Sequence, residues 1–371
     1  MRKASTLLLI CIIPFFCTLF SCSEKKAEEP EKDNFDRQAM LTNWADNIII
    51  PAYEAYVVTT ADLVAAKDAF VNEPSETKLQ TLKATWLSAY TAWQKVSMFE
   101  IGKAEELTLR DYTNIFPTNA AEIDANLQSG TWNLALPSTR VQQGFPALDY
   151  LLHGLAATEA ETTTLFSTNE NHRNYLSDVT DRIHSLADQV LKDWKGGYRE
   201  AFIAESGSSA NSSVNKLVND YLFYYEKFLR AGKIGIPAGV FSNQPLSDNV
   251  EAFYNKDVSK SLFITSLQAS YDFFLGKHFS GGSTGESLKS YLDFLNTITN
   301  GESLSKEISS KFENALSKGN LLGDNLYQEV ETNNQAMLAT YDALQEIVIL
   351  MKVDMFQALN IKVDYVDADG D

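Results

Sequence analysis

Few side chains in this chain suit bond-making chemistry, and their spacing narrows the choice. Histidine stands only at positions 153, 172, 184 and 278, and cysteine only at 11, 17 and 22. A histidine-rich metal cage is excluded, as are a disulfide framework and a cysteine nucleophile beyond residue 22. No His-Glu-x-x-His helix, phosphate-binding glycine loop or serine elbow occurs. Carboxylates remain. Asp181, His184 and Asp188 fall at i, i+3 and i+7, with Asp178 one turn earlier, so they share one helix face. Carboxylate and imidazole together suit iron, zinc or another divalent metal. A solvated face of an acidic protein has the same pattern. Asp367, Asp369 and Asp371 alternate as at the opening of a calcium loop, but the closing Glu is absent, and a solvated tail reads the same way.

Asp149 is the odd carboxylate. It lies inside Gly144-Phe145-Pro146-Ala147-Leu148-Asp149-Tyr150-Leu151-Leu152-His153-Gly154. Pro is tolerated at the first helical position and Gly marks a helix stop, so a short buried helix is expected from about Pro146 to His153. Asp149 would then sit near its first turn, where the helix dipole favours negative charge. An ion pair with Arg140 is a second structural reading. A buried acid is rarely unpaired.

The elements that would position these groups are helical. Met40, Trp44, Ile48, Tyr53, Tyr56, Leu63 and Phe70 recur at helical intervals, with Pro51 expected to kink or split the run. Ser75 can cap the next helix, which carries Leu79, Leu82, Trp86, Tyr90, Trp93 and Val96. Asn119 followed by Glu122 predicts a capping box. Further helices are expected over about 170–194, 217–229, 248–275, 285–299, 303–317 and 324–359, with Gly196-Gly197 a stop. No alternating strand pattern is evident, so the class is all-α. A boundary near 195–215 divides the chain into bundles over 35–205 and 206–371.

Composition sets limits on function. The chain has 371 residues, 44% hydrophobic and 22% charged, with a formal net charge of −18. That is a globular composition. So negative a surface repels phosphate backbones and argues against nucleic-acid partners. Arg2 and Lys3 precede an apolar run from Leu7 to Phe20, a targeting pattern. Leu19-Phe20-Ser21-Cys22 resembles a bacterial lipoprotein signal, with lipid attached at Cys22. Residues 1–22 are thus expected to be a signal and 23–34 a disordered tether. An ordinary secretory signal or a single-pass anchor are the alternatives, although the apolar run is short for a span.

Several segments together resemble the imelysin-like family, the group containing an insulin-cleaving metallopeptidase and an iron-regulated protein. The stretch Leu82 to Glu106, with Trp86, Tyr90, Trp93, Phe99 and Gly102, is similar to the family's early aromatic helix and following turn. Phe116-Pro117-Thr118-Asn119-Ala120-Ala121-Glu122-Ile123 is similar to its Pro–Asn connector, and Ala358 to Asp371 to its C-terminus. The family signature Gly-x-His-x-x-Glu reads here Gly144-Phe145-Pro146-Ala147-Leu148-Asp149. Asp149 keeps the charge on a shorter arm. Pro146 replaces the His and offers no lone pair to a metal. A Pro-bearing form resembles one branch of the family.

The resemblance implies two helical bundles side by side, a cleft between them lined by the signature helix, and an envelope role in iron uptake. The ligand would be iron, haem or another divalent metal. The first expectation is a non-enzymatic lipoprotein, anchored to the outer membrane through Cys22 on its periplasmic or surface side. Asp149 would act as acceptor or metal ligand, Gly144 would allow close approach, Pro146 would fix the helix start, and Tyr150 and Arg140 would line the site. The alternatives are a metallopeptidase of the imelysin type and a scaffold or accessory lipoprotein that docks an outer-membrane uptake partner.

Overall fold

The helices that position the site begin with α1, Arg37–Asn72, the central helix of the first half. It is long and apolar enough to cross a membrane by length and composition. Its Met40, Trp44, Tyr53, Tyr56, Leu63 and Phe70 are instead fully buried. From Ile50 on, the helix packs against α2 (Glu76–Trp93) and α4 (Glu170–Asp193), with α3 (Gly144–His153) laid across α2 and α4. The second half is built from α5 (Ser213–Phe223) with its continuation, α6 (Ser259–Leu275), α7 (Leu304–Asn320) and α8 (Leu326–Ile349). The computed structural model describes residues 33–299 and 301–365. Cys22, most of the expected tether and Asp367, Asp369 and Asp371 lie outside them. Among the described residues the one β-pairing of strands is a two-residue hairpin, Ile298–Thr299 with Glu302–Ser303.

Asp36–Asp371 forms one compact unit. Within it α1 contacts both α2 and α4, and α7 contacts both α6 and α8.

Local chemistry explains most element boundaries. Ser75 accepts the Lys78 N–H at 3.4 Å and starts α2. The stripe Leu79, Leu82, Trp86, Tyr90 and Trp93 is fully buried, as its spacing predicts. Asn119 accepts the Glu122 N–H at 3.2 Å, but the Glu122 carboxylate bonds Gln142 rather than closing a capping box.

Two expectations need correction. Pro51 neither splits nor ends α1. The helix widens into a π segment, Trp44–Ile49, and Pro51 falls at the start of the α stretch that follows. Gly196-Gly197 stops the regular helix as expected: α4 closes through a π segment, Trp194–Tyr198, and the non-helical Gly197, at φ 129°, kinks the chain before Arg199–Ala204. Residues 248–258 are not helical apart from 3-10 turns at Ser247–Asn249 and Lys256–Val258. The loop 250–255 carries backbone N–H groups that a helix would have consumed, and these matter below.

Candidate functional site

The helix α3 starts two residues earlier than expected, at Gly144. Gly144 has φ +77°, and a Cβ there would lie 2.2 Å from the Thr113 carbonyl oxygen. Only glycine permits that backbone-to-backbone approach. Phe145 stacks on Tyr90 at 4.6 Å, and the His153 ring lies 5.2 Å from Trp86. Burial, aided by Lys83, pushes His153 down to about 4, so it is neutral at ordinary pH.

Asp149 is 1% exposed and falls beyond the first turn of α3, so the helix-dipole reading does not hold. Arg140 does not pair with it either. Arg140 holds Asp111 at 2.7 Å and covers the Tyr112 ring. Both oxygens of Asp149 are instead taken by the loop 250–255. Oδ2 accepts the Tyr254 N–H at 2.8 Å and Oδ1 the Asn255 N–H at 2.9 Å. Burial pushes the carboxyl up to about 7 against the pull of those two donors. The Tyr150 hydroxyl donates to Asp124 at 2.6 Å. Asp149 thus clamps α3 to a loop of the second half.

The same loop is pinned again by Glu251. Lys233 bonds Glu251 and, at 2.8 Å, Gln94. Gln94 and Asn114 both donate to Glu251, at 3.1 and 2.8 Å. All four side chains are accounted for, which is what a buried ion pair requires.

The other expected metal group is dispersed. Asp181 pairs with Lys67 at 2.8 Å, His184 Nδ1 meets the Thr60 hydroxyl at 2.9 Å, and Asp188 pairs with Lys192 at 2.6 Å. Among the described residues no three His, Cys, Asp or Glu side chains converge to hold a metal ion.

The geometry brings together a different set, centred on Arg110. The turn after α2 carries Glu100, and the short helix Leu109–Thr113 carries Arg110. Arg110 Nε lies 3.1 Å from Glu100, and its backbone N–H donates to the same carboxylate at 2.7 Å. Its guanidinium bonds Asp220 of α5 and donates to the Ser97 carbonyl at 3.2 Å. The Glu100 N–H closes the ring on Asp220 at 2.6 Å. Phe223, Tyr224 and Phe228 surround the guanidinium. Burial pushes Glu100 up to about 7, with Arg110 opposing and Asp220 adding to the rise. Asp220 is raised by burial as well.

This cluster floors an open groove of about 360 Å³, of the size of a small-ligand site. Glu105 and Asp364 add two carboxylates to its rim, Lys216 one ammonium, and Asn219 and Tyr365 polar walls. Both halves of the molecule contribute. So do segments far apart in sequence: the turn after the aromatic helix and the C-terminal stretch meet here, and Asn114 and Phe116 lie just behind Arg110 in a small void. Sequence reasoning missed this set because Glu100, Arg110 and Asp220 look like ordinary surface charges. The available signal was charge set among aromatics, at Phe99-Glu100 and Asp220-Tyr221.

Comparison with solved structures supports this fold. The chain superposes on an imelysin-like protein from Psychrobacter arcticus with a TM-score of 0.67 at 17% identity, covering 89% of this chain and 97% of that one. It superposes on an iron-regulated protein A precursor from Parabacteroides distasonis with a TM-score of 0.73 at 16% identity, with the same coverage of 89% and 97%. No curated protein matches the sequence. The Imelysin family model, Peptidase_M75, matches residues 49–351, most of the folded chain, and the protein therefore belongs to the imelysin family.

Proposed function

We propose that this is a non-enzymatic ligand-binding protein of the cell envelope, engaged in iron acquisition, that takes its ligand in the groove over Glu100, Arg110 and Asp220. The observation that carries this reading is convergence. Segments that resemble the family at the turn after α2 and at the C-terminus build one open, charged cavity, whereas Asp149 on the signature helix is closed by backbone donors. The structural neighbour described as iron-regulated favours the link to iron.

Four carboxylates face two cations in the groove, which favours a positively charged ligand. Haem fits less well, because its propionates would meet Glu105 and Asp364. Among the described residues no three side chains converge on a bare ion, so a metal would bring part of its own coordination, as a chelate. A metallopeptidase needs three protein ligands and an activated water. Pro146 and the clamped Asp149 supply none of them.

The test titrates the full chain with tris-bipyridine iron(II), a coloured cationic chelate, and with haemin in parallel. Saturable micromolar binding of the chelate, weakened about tenfold by Asp220→Asn and unchanged by Asp149→Asn, is the expected result. No binding, tighter binding of haemin, or binding indifferent to Asp220→Asn overturns the reading. Lipid anchoring is proposed at Cys22, and labelled fatty acid incorporated into the wild type but not into Cys22→Ser checks it.

A further inference from the structure

A second cavity, of about 420 Å³, lies on another face of the junction and shares no residue with the groove at Arg110. Ile264 and Ala269 of α6 and Phe279 give it an apolar surface, with Thr265 and Gln268 beside them and the buried Met98, Phe99 and Phe273 behind. Its mouth is basic. Lys95, Lys277 and His278 stand there with a single carboxylate, Asp272. Among the described residues no carboxylate lies within ion-pair reach of Lys95, whose ammonium rests 5.5 Å from the centre of the Phe279 ring. Lys277 holds Asp272 only loosely, at 3.3 Å. In a chain with net charge −18, a mouth where cations outnumber acids is a local reversal of sign.

The outer wall is built into the fold. Pro51 has no N–H, so the Asn47 carbonyl four residues earlier lacks its helical donor. The Phe279 N–H supplies it at 2.8 Å. The Asn43 side chain donates to the carbonyls of Gly276 and Glu286 at 3.2 and 3.1 Å. The loop bearing Lys277, His278 and Phe279 is therefore fixed to α1 at three points. A groove lined by α1 and α2 runs on from the cavity, sharing Ala52, Lys95 and Phe279 with it. Its sides are small residues such as Ala55, Ala84 and Ser88, which leave room for an extended chain.

We propose that this cavity binds an organic anion with an apolar body, a monocarboxylate with a flexible hydrocarbon tail, its carboxylate held by Lys95 and Lys277 and its tail lying against Ile264, Ala269 and Phe279. The pocket supplies the usual combination for such a ligand: apolar walls and a few placed charges. Salt weakens binding, because the cations are partly exposed.

The experiment is calorimetric titration of the full chain with dodecanoate below its micelle concentration, with dodecanol and dodecyltrimethylammonium as neutral and cationic counterparts. Dodecanoate is expected to bind at one site. Lys95→Ala should weaken it about tenfold, and Asp272→Asn should tighten it a few-fold by releasing Lys277. Lys95 is exposed, so its variant should fold, and an unchanged melting temperature verifies that. A diazirine-bearing dodecanoate should label the peptides containing Ile264 or Phe279. Equal binding of dodecanol or of the ammonium compound, indifference to Lys95→Ala and Asp272→Asn together, labelling confined to other peptides, or no binding each overturns the proposal. The chelate titration reads the Arg110 groove separately, so the two sites stand or fall independently.

Discussion

Asp149 and Glu100 are both buried carboxyls pushed up to about 7, yet they do different work. Asp149 answers to two backbone N–H groups and has no charged partner among its hydrogen bonds. Glu100 answers to a guanidinium that it shares with Asp220, and all three face open space. A carboxylate saturated by backbone joins two pieces of chain. A carboxylate balanced by a side-chain cation beside a cavity keeps an exchangeable partner. A raised proton affinity alone would not have told them apart.

The sharpest way to break this contrast is to remove Arg110. Arg110→Leu leaves Glu100 and Asp220 without their cation and should cost about 3–5 kcal/mol at pH 8, measured by urea unfolding. The loss should shrink at pH 5, where Glu100 takes a proton. If it is pH-independent, the triad is not electrostatically coupled. Asp149→Ala strands two N–H groups and should cost about 3 kcal/mol with little effect on chelate binding. A small stability loss would mean that the loop 250–255 finds other acceptors.

The wild type offers a milder test. Asp149 and Glu100 bind protons more tightly folded than unfolded, so the native state holds extra protons between about pH 4.5 and 7. Their stabilising contribution is present in acid and is lost as pH rises through that window. His153, lowered to about 4, acts oppositely: the unfolded chain takes the proton first, and stability falls on acidification below its ordinary value near 6.5. The net should be a decline of about 1 kcal/mol per pH unit from pH 5 to 7, steeper in His153→Gln and shallower in Asp149→Asn. The smallest effect is expected at Asp181→Asn. Lys67 keeps Asp68 at 2.6 Å, so under about 1 kcal/mol should be lost, with no change in metal content.

The helical frame was legible because stripes such as Leu79, Leu82, Trp86 and Tyr90 bury one face, and side-chain caps such as Ser75 announce themselves by residue type. Asp149 was legible as unusual but not as a clamp. Its partners are backbone groups of Tyr254 and Asn255, and backbone donors have no signature in a sequence. The expectation of helix over 248–275 hid them further, since helical N–H groups are already spent. The Arg110 cluster was hidden for a different reason. Its charges lie about 110 residues apart, from Arg110 to Asp220, and each is unremarkable alone.

The π segments have a consequence for how such a chain can change. Trp44–Ile49, Tyr224–Gly235 and Leu350–Met355 each widen a helix without interrupting it. One residue gained at such a point turns everything beyond it by roughly 100° while both ends stay docked. The helix that begins at Ser213 uses this to face inward with Leu217 and Tyr221, then carry Lys233 to Glu251. An insertion can thus be absorbed as rotation rather than as a new loop, and one helix can serve a hydrocarbon interior and a charged junction in succession.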